Sequence, residues 1–178
     1  TIGCCRYVYN YSLADRVSFY EKFKDDKSML GTYKYPTIKS LREEFSWLEE
    51  VPTNALGQSQ LDLDKAYSNF FRRVKQGQKP GFPKFKKKGK CKDSYRECFA
   101  GRLPRLDKYN TGIVLLKLGK VKIRGLSKDF SGVIKNVTVS RSKSGKYYAS
   151  ILVEKEQIEK RKRVSDNVIG IDLGLKEF

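Results

Sequence analysis

Histidine is absent from the 178 residues, tryptophan and methionine occur once each, and proline occurs five times. Without histidine, neither a Cys/His zinc site nor a histidine-dependent catalytic triad can be assembled from this chain. Cys4, Cys5, Cys91 and Cys98 lack the paired short spacings of a metal knuckle. Reduced thiols are therefore expected, rather than disulfides or zinc ligands. Long apolar runs are also missing. The longest, Ile113 to Leu116, falls far short of the roughly 20 residues that span a bilayer, and no secretory leader pattern opens the chain. The expectation is a soluble cytoplasmic protein with no membrane partner.

Negative charge is scarce. Twenty Asp and Glu stand against 38 Lys and Arg, giving a net charge of +18 and a pI near 9.8. Such an excess favours a polyanionic partner. At 39% hydrophobic residues the chain can still furnish a packed core. The scarcity becomes absolute from Arg72 to Lys92. That stretch carries Arg72, Arg73, Lys75, Lys79, Lys84, Lys86, Lys87, Lys88, Lys90 and Lys92 and no acid. Like charges packed this densely repel unless a polyanion relieves them.

Periodicity divides the chain into a helical part and a strand part. Cys5, Tyr9, Leu13, Val17 and Tyr20 recur at helical spacing and predict a helix from about Cys5 to Phe23. Lys24 to Pro36 reads as a loop. Thr37 is placed to cap a second helix, Ile38 to Glu50, which Pro52 ends. Thr53 or Asn54 is placed to cap a third, running to about Gln76 with Leu56, Leu63, Tyr67, Phe70 and Val74 on one face, and Gly77 and Pro80 close it. After Gly101 the period becomes two. Val121 and Ile123 alternate with Lys120, Lys122 and Arg124, while Val133, Lys135, Val137 and Val139 alternate with Ile134, Asn136, Thr138 and Ser140. Ser142 to Gly145 reads as a hairpin turn into a strand from Tyr147 to Glu154, so a small antiparallel sheet or barrel is expected. A charged linker, Lys155 to Asp166, leads to the apolar strand pattern of Val168 to Leu173. Both ends look like interruptions, as expected of a fragment.

Two constellations carry chemistry. In the first, the string GFPKFKKK from Gly81 to Lys88 interleaves cations with rings, and Phe70, Phe71, Phe82, Phe85 and Tyr95 lie nearby. Cations neutralise phosphates and aromatic faces stack on unpaired bases. The phenylalanines can equally be anchors that hold the loop to the core. In the second, Asp172 sits inside the apolar run Ile169-Gly170-Ile171-Asp172-Leu173-Gly174. An ionised carboxylate there is costly unless it is paired or bound to a metal. Mg²⁺ is one solution, as in nucleases that hold two metals with carboxylates. A turn at the strand end is another. The same string also resembles the phosphate-binding strand of the actin and Hsp70 ATPases, although here the continuation is Leu175-Lys176-Glu177.

Four strings occur in the order seen in the OrfB or TnpB family of transposon-encoded proteins: RYVYN from Arg6, AYSNFFRRVKQG from Ala66, GFPKFKKK from Gly81, and GIDLGLKEF from Gly170. Together they span nearly the whole chain, which thus resembles the front part of an RNA-guided DNA endonuclease of that type. The resemblance implies an α+β chain, with a helical recognition domain over 1–88 and an antiparallel β-barrel wedge domain over 89–160. It implies a linker and the first strand of an RNase H-like RuvC nuclease domain over 161–178. By it, Asp172 matches the first RuvC carboxylate, a ligand of Mg²⁺. The other acids and a zinc finger would lie downstream, and the family's opening barrel strand would precede Thr1, so this chain alone is expected to bind but not to cleave and to hold no zinc. Its implied partners are a guide RNA and double-stranded target DNA beside a short motif, contacted around Thr53, Asn54, Gly57 and Gln58. Two other readings are a nuclease-dead, RNA-guided DNA-binding repressor and an ATPase of the actin and Hsp70 type.

Overall fold

A computed structural model describes residues 1–98, 101, 104–127 and 130–155. Helix α1 spans Ile2–Phe23 and helix α4 spans Thr53–Lys75. Between them lie the one-turn helix α2, Lys27–Leu30, the short helix α3, Ile38–Glu44, and a 3₁₀ helix, Ser46–Glu50. The predicted faces of α1 and α4 meet. Tyr9, Leu13, Leu63 and Tyr67 form one buried cluster, with Val17 and Tyr35 packed against it. Each fully buried leucine stabilises the fold by about 1.5–3 kcal/mol relative to exposure. The faces peel apart at the helix ends, where Tyr20 and Val74 are exposed.

Local capping explains most boundaries. The Thr37 hydroxyl accepts from Ser40 N at 3.1 Å, as its position predicts. Asp26 caps α2 by accepting from the backbone N–H groups of Ser28 and Met29. Such a short helix leaves no periodic signal, and the sequence reads as loop there. The expected helix Ile38 to Glu50 breaks at Phe45 (φ −125°, ψ 83°), which lets Phe45 and Trp47 pack on Tyr7 with centroids 5.1 and 4.9 Å away. Neither Thr53 nor Asn54 caps α4; Pro52 holds the N-cap position and no side chain bonds there. At the other end Gly77 adopts φ +65°, the left-handed conformation in which glycine terminates a helix at little cost.

Strand β1, Asp93–Cys98, immediately follows the basic tract and pairs antiparallel with β5, Val133–Arg141, which pairs antiparallel with β6, Tyr147–Glu154. Strand β2, Arg105–Leu106, β3, Gly112–Leu115, and β4, Gly119–Lys122, form a second antiparallel sheet. The predicted hairpin turn is present, with Gly145 N donating to Ser142 O. The strand alternation predicted along β5 does not run through. The pairing shifts between Ile134 and Asn136, so Lys135 is extra, Val133 is 57% exposed, and Ile134 joins Val137 in the core. A β-bulge moves every residue before it to the opposite face.

The two sheets pack through Ile113, Leu115, Ile134 and Val137, backed by Ile123 and Ile151. Among the described residues they do not close into the expected barrel, because the two three-stranded sheets share no hydrogen-bonded strand pair. An open groove of about 1000 Å³, lined by Leu118, Val121, Tyr147 and Tyr148 among others, lies between them. β1 joins sheets to helices: Tyr95 packs among Cys5, Val8, Leu41, Leu48, Val51, Ala55 and Leu56. Asp172 and the expected linker and RuvC strand lie outside the described residues.

Candidate nucleic-acid interface

The basic tract begins on the last turn of α4, where Arg72, Arg73 and Lys75 are exposed. Cations at a helix C-terminus are stabilised by the carbonyl end of its dipole. The chain then turns back. At Gly81 an added Cβ would meet Arg73 Nη1 at 3.0 Å, so this guanidinium lies across the start of the loop. Phe82 sets its ring edge-on to Tyr67 and Phe70, with centroids 5.6 and 5.3 Å away, and Pro83 is buried.

The loop is then fastened to α1. Asn10 brackets the backbone of Lys86: its Oδ1 accepts from Lys86 N at 2.8 Å and its Nδ2 donates to Lys86 O at 2.9 Å. The Lys86 ammonium lies 3.9 Å from the centroid of Tyr9, a cation–π contact. Burial lowers the pKa of this lysine from its ordinary value, with Asp62 acting against the shift. Arg6 completes the attachment through Asp93 at 2.7 Å. The RYVYN string on α1 is thus the seat of the GFPKFKKK loop. That relation was hidden in the sequence because the bonded atoms lie 76 residues apart.

What this leaves outside is a charged face. Arg72, Arg73, Lys75, Lys79, Lys84, Lys87, Lys88 and Lys90 are exposed, and among the described residues none of the eight pairs with a carboxylate. Phe71, Phe82 and Phe85 are 52%, 48% and 53% exposed on the same stretch. Two sequence candidates move inward. Lys86 is the loop's anchor rather than a free cation. Tyr95 is only 6% exposed, because the inward alternation of β1 carries its ring into the helix–sheet core, where it cannot stack on a base.

The residues proposed to read a target motif fall at the start of α4. Thr53 is exposed, while Asn54 is half-buried and spends its amide on Cys98 O at 2.9 Å. Gly57 and Gln58 are half-buried, and Gln58 borders a small polar hollow of about 50 Å³ with Arg6, Asp62, Lys86 and Arg96. Sequence reasoning missed Arg6, Asp62 and Arg96 here; Arg96 and Asp62 approach to 3.6 Å across β1 and α4. Nearby Cys5 is buried, donates to Ala55 O at 3.5 Å, and has its pKa pushed up to about 11 by burial, which makes it an inert thiol. Among the described residues no group of His, Cys, Asp and Glu is placed to hold a metal, and no helix is long and apolar enough to cross a membrane.

Fold and face together define a mixed helix-and-sheet chain that presents exposed cations beside exposed rings. Residues 1–25, which here contain the whole of helix α1, match a helix-turn-helix domain of the OrfB/IS605 type. Over 99% of its length the chain is 36% identical to an Escherichia coli K12 protein named as the RNA-guided DNA endonuclease InsQ. Over 86% it is 28% identical to a Streptomyces pristinaespiralis protein also named as an RNA-guided DNA endonuclease. The chain is thus similar, along nearly its whole length, to proteins of the OrfB/TnpB kind that its four strings resemble. It spans about two fifths of the length of these relatives, 41% and 37% respectively.

Proposed function

We propose that this chain is the nucleic-acid-gripping part of an RNA-guided DNA endonuclease, holding guide RNA and target DNA through the face built by the end of α4 and the loop after it. The observation that carries this reading is the row of eight exposed cations without carboxylate partners among the described residues, on a chain similar along nearly its whole length to a protein named for that activity. In a guided nuclease, base pairing supplies sequence choice and the protein grips backbone and duplex shape. Lysines and arginines on a pinned loop suit that task, because they bind phosphate without regard to sequence. Thr53 and Gln58 are the side chains left to approach a short target motif, since Asn54 is engaged with Cys98.

Cleavage in this reading is Mg²⁺-dependent hydrolysis of a DNA phosphodiester, with Asp172 as one carboxylate ligand. The metal would supply Lewis-acid stabilisation of the phosphate oxygens and an activated water. In the sequence Asp172 stands between Gly170 and Gly174, residues without side chains that would let substrate come close. The experiment is recovery of the protein from cells followed by sequencing of the RNA bound to it. A single defined RNA species is the expected result, and recovery free of RNA overturns the reading. In the protein that carries this chain, Asp172→Asn is expected to abolish DNA cleavage while RNA recovery is unchanged; retained cleavage removes the metal role.

A further inference from the structure

We propose that Phe71, Phe82 and Phe85 form a stacking platform for the unpaired bases of a single-stranded polynucleotide, with Arg72, Lys84 and Lys87 holding its phosphates. The proposal rests on the nucleic-acid reading above and goes beyond it by naming strand state. Phe71 and Phe82 both pack on Tyr67, the first near-parallel at 24° and 6.3 Å, the second edge-on at 89° and 5.6 Å, so the two rings share one surface. The Arg16 guanidinium also lies over the Tyr67 ring, 4.0 Å from its centroid. Phe71 and Phe82 are held by these ring contacts, and all three phenylalanines leave about half their surface exposed.

Large exposed apolar rings mark an interaction surface, and the surrounding charge selects the partner. Basic proteins are repelled from a stretch without acids, whereas a polynucleotide brings phosphates for the cations and base faces for the rings. Paired bases are stacked within a duplex and offer no free face, so the rings add affinity for a single strand alone. An anionic lipid surface would also answer cations beside rings, but insertion calls for a continuous apolar face. Here Arg72 and Arg73 directly follow Phe71, and Lys84 separates Phe82 from Phe85. The loop is also pinned by Asn10 and Tyr9, so its rings are pre-positioned and little ordering is required on binding.

The experiment compares the chain with the double variant Phe71→Leu/Phe82→Leu, whose leucines keep the surface apolar. Equilibrium binding is measured to oligouridylate, oligodeoxythymidylate, a DNA duplex of equal length, and phosphatidylglycerol vesicles. The double variant is expected to lose about tenfold or more on either single strand and less than about twofold on the duplex, with an unchanged salt slope. A Phe82→Trp change in a Trp47→Phe background is expected to retain single-strand affinity, and its indole emission to be quenched on binding. Equal losses on single strand and duplex overturn the proposal, as does no loss on either, or vesicle binding with the same dependence on the rings. Lys84→Gln separates this failure from that of the broader reading: if it lowers the salt slope while the ring changes do nothing, only the platform falls.

Discussion

Glu97 is fully buried on β1, and only one of its two carboxylate oxygens is satisfied. Oε1 accepts from Leu116 N at 2.6 Å, fastening the turn between β3 and β4, while Oε2 has no partner among the described residues. Burial raises its pKa, and the Leu116 hydrogen bond opposes the shift only in part. A carboxyl whose folded pKa lies above its unfolded value contributes full stability below the unfolded pKa and loses it as pH rises through the folded one. Stability should therefore decline upward from the ordinary carboxylate range, and Glu97→Gln should flatten that decline in pH-dependent denaturant melts. An unchanged slope in the variant would show that another group carries it. Nothing in the sequence marks Glu97, nor does it show that Lys86 turns inward while Lys84 does not. Side-chain direction inside a charged run is set by distant partners, here Tyr9 and Asn10, and no local pattern encodes them. The same asymmetry predicts that Lys84→Gln lowers the slope of log affinity against log salt by roughly 1, while Lys86→Gln leaves the slope nearly unchanged and lowers thermal stability. Equal slope changes would contradict the inward placement.

The loop from Gly81 to Lys92 behaves as an element although it has no regular structure. Its backbone polar groups at Lys86 are taken by Asn10, and its ends are fixed by Arg73 across Gly81 and by Asp93 bonded to Arg6. Replacing Asn10 with alanine removes two hydrogen bonds and leaves a backbone donor and acceptor to find water, a cost of about 1–3 kcal/mol. Asn10→Ala should accordingly lower the melting temperature and expose the loop to trypsin after Lys84 or Lys87, and proteolysis no faster than in the parent would show that the clamp is idle. The long elements were legible because their apolar faces recur over many turns: Leu13, Leu56 and Leu63 fall where helical spacing put them. The breaks were not. Phe45 leaves the helix to reach Tyr7, and the bulge at Lys135 reverses the face on which Val133 and Ile134 were expected, both for the sake of tertiary contacts. β1 escaped notice because only Tyr95 among its inward residues is apolar.

At the scale of the whole molecule, charge and fold are partly decoupled. The three buried clusters are built of uncharged, mostly apolar side chains, and Glu97 is the one charged residue buried among the described residues, whereas the basic tract lies outside the clusters and repels itself. Carboxylates elsewhere are engaged in surface ion pairs, such as Arg16–Asp64 at 3.3 Å and Lys120–Asp107 at 2.9 Å. Among the described residues no carboxylate pairs with the tract's exposed cations, and the proposed reading assigns their neutralisation to a partner. A polyanion that contacts about 6–10 of its phosphates through this face releases a comparable number of counterions, so affinity for RNA or DNA should fall roughly 10³- to 10⁵-fold between about 50 and 200 mM salt. Binding measured by titration across that range checks it. A flat response would mean that the exposed cations do not meet phosphate, and the guided-nuclease reading would lose its physical basis; a steep response that persists after Lys84, Lys87, Lys88 and Lys90 are all changed to glutamine would place the phosphate contacts elsewhere on the chain.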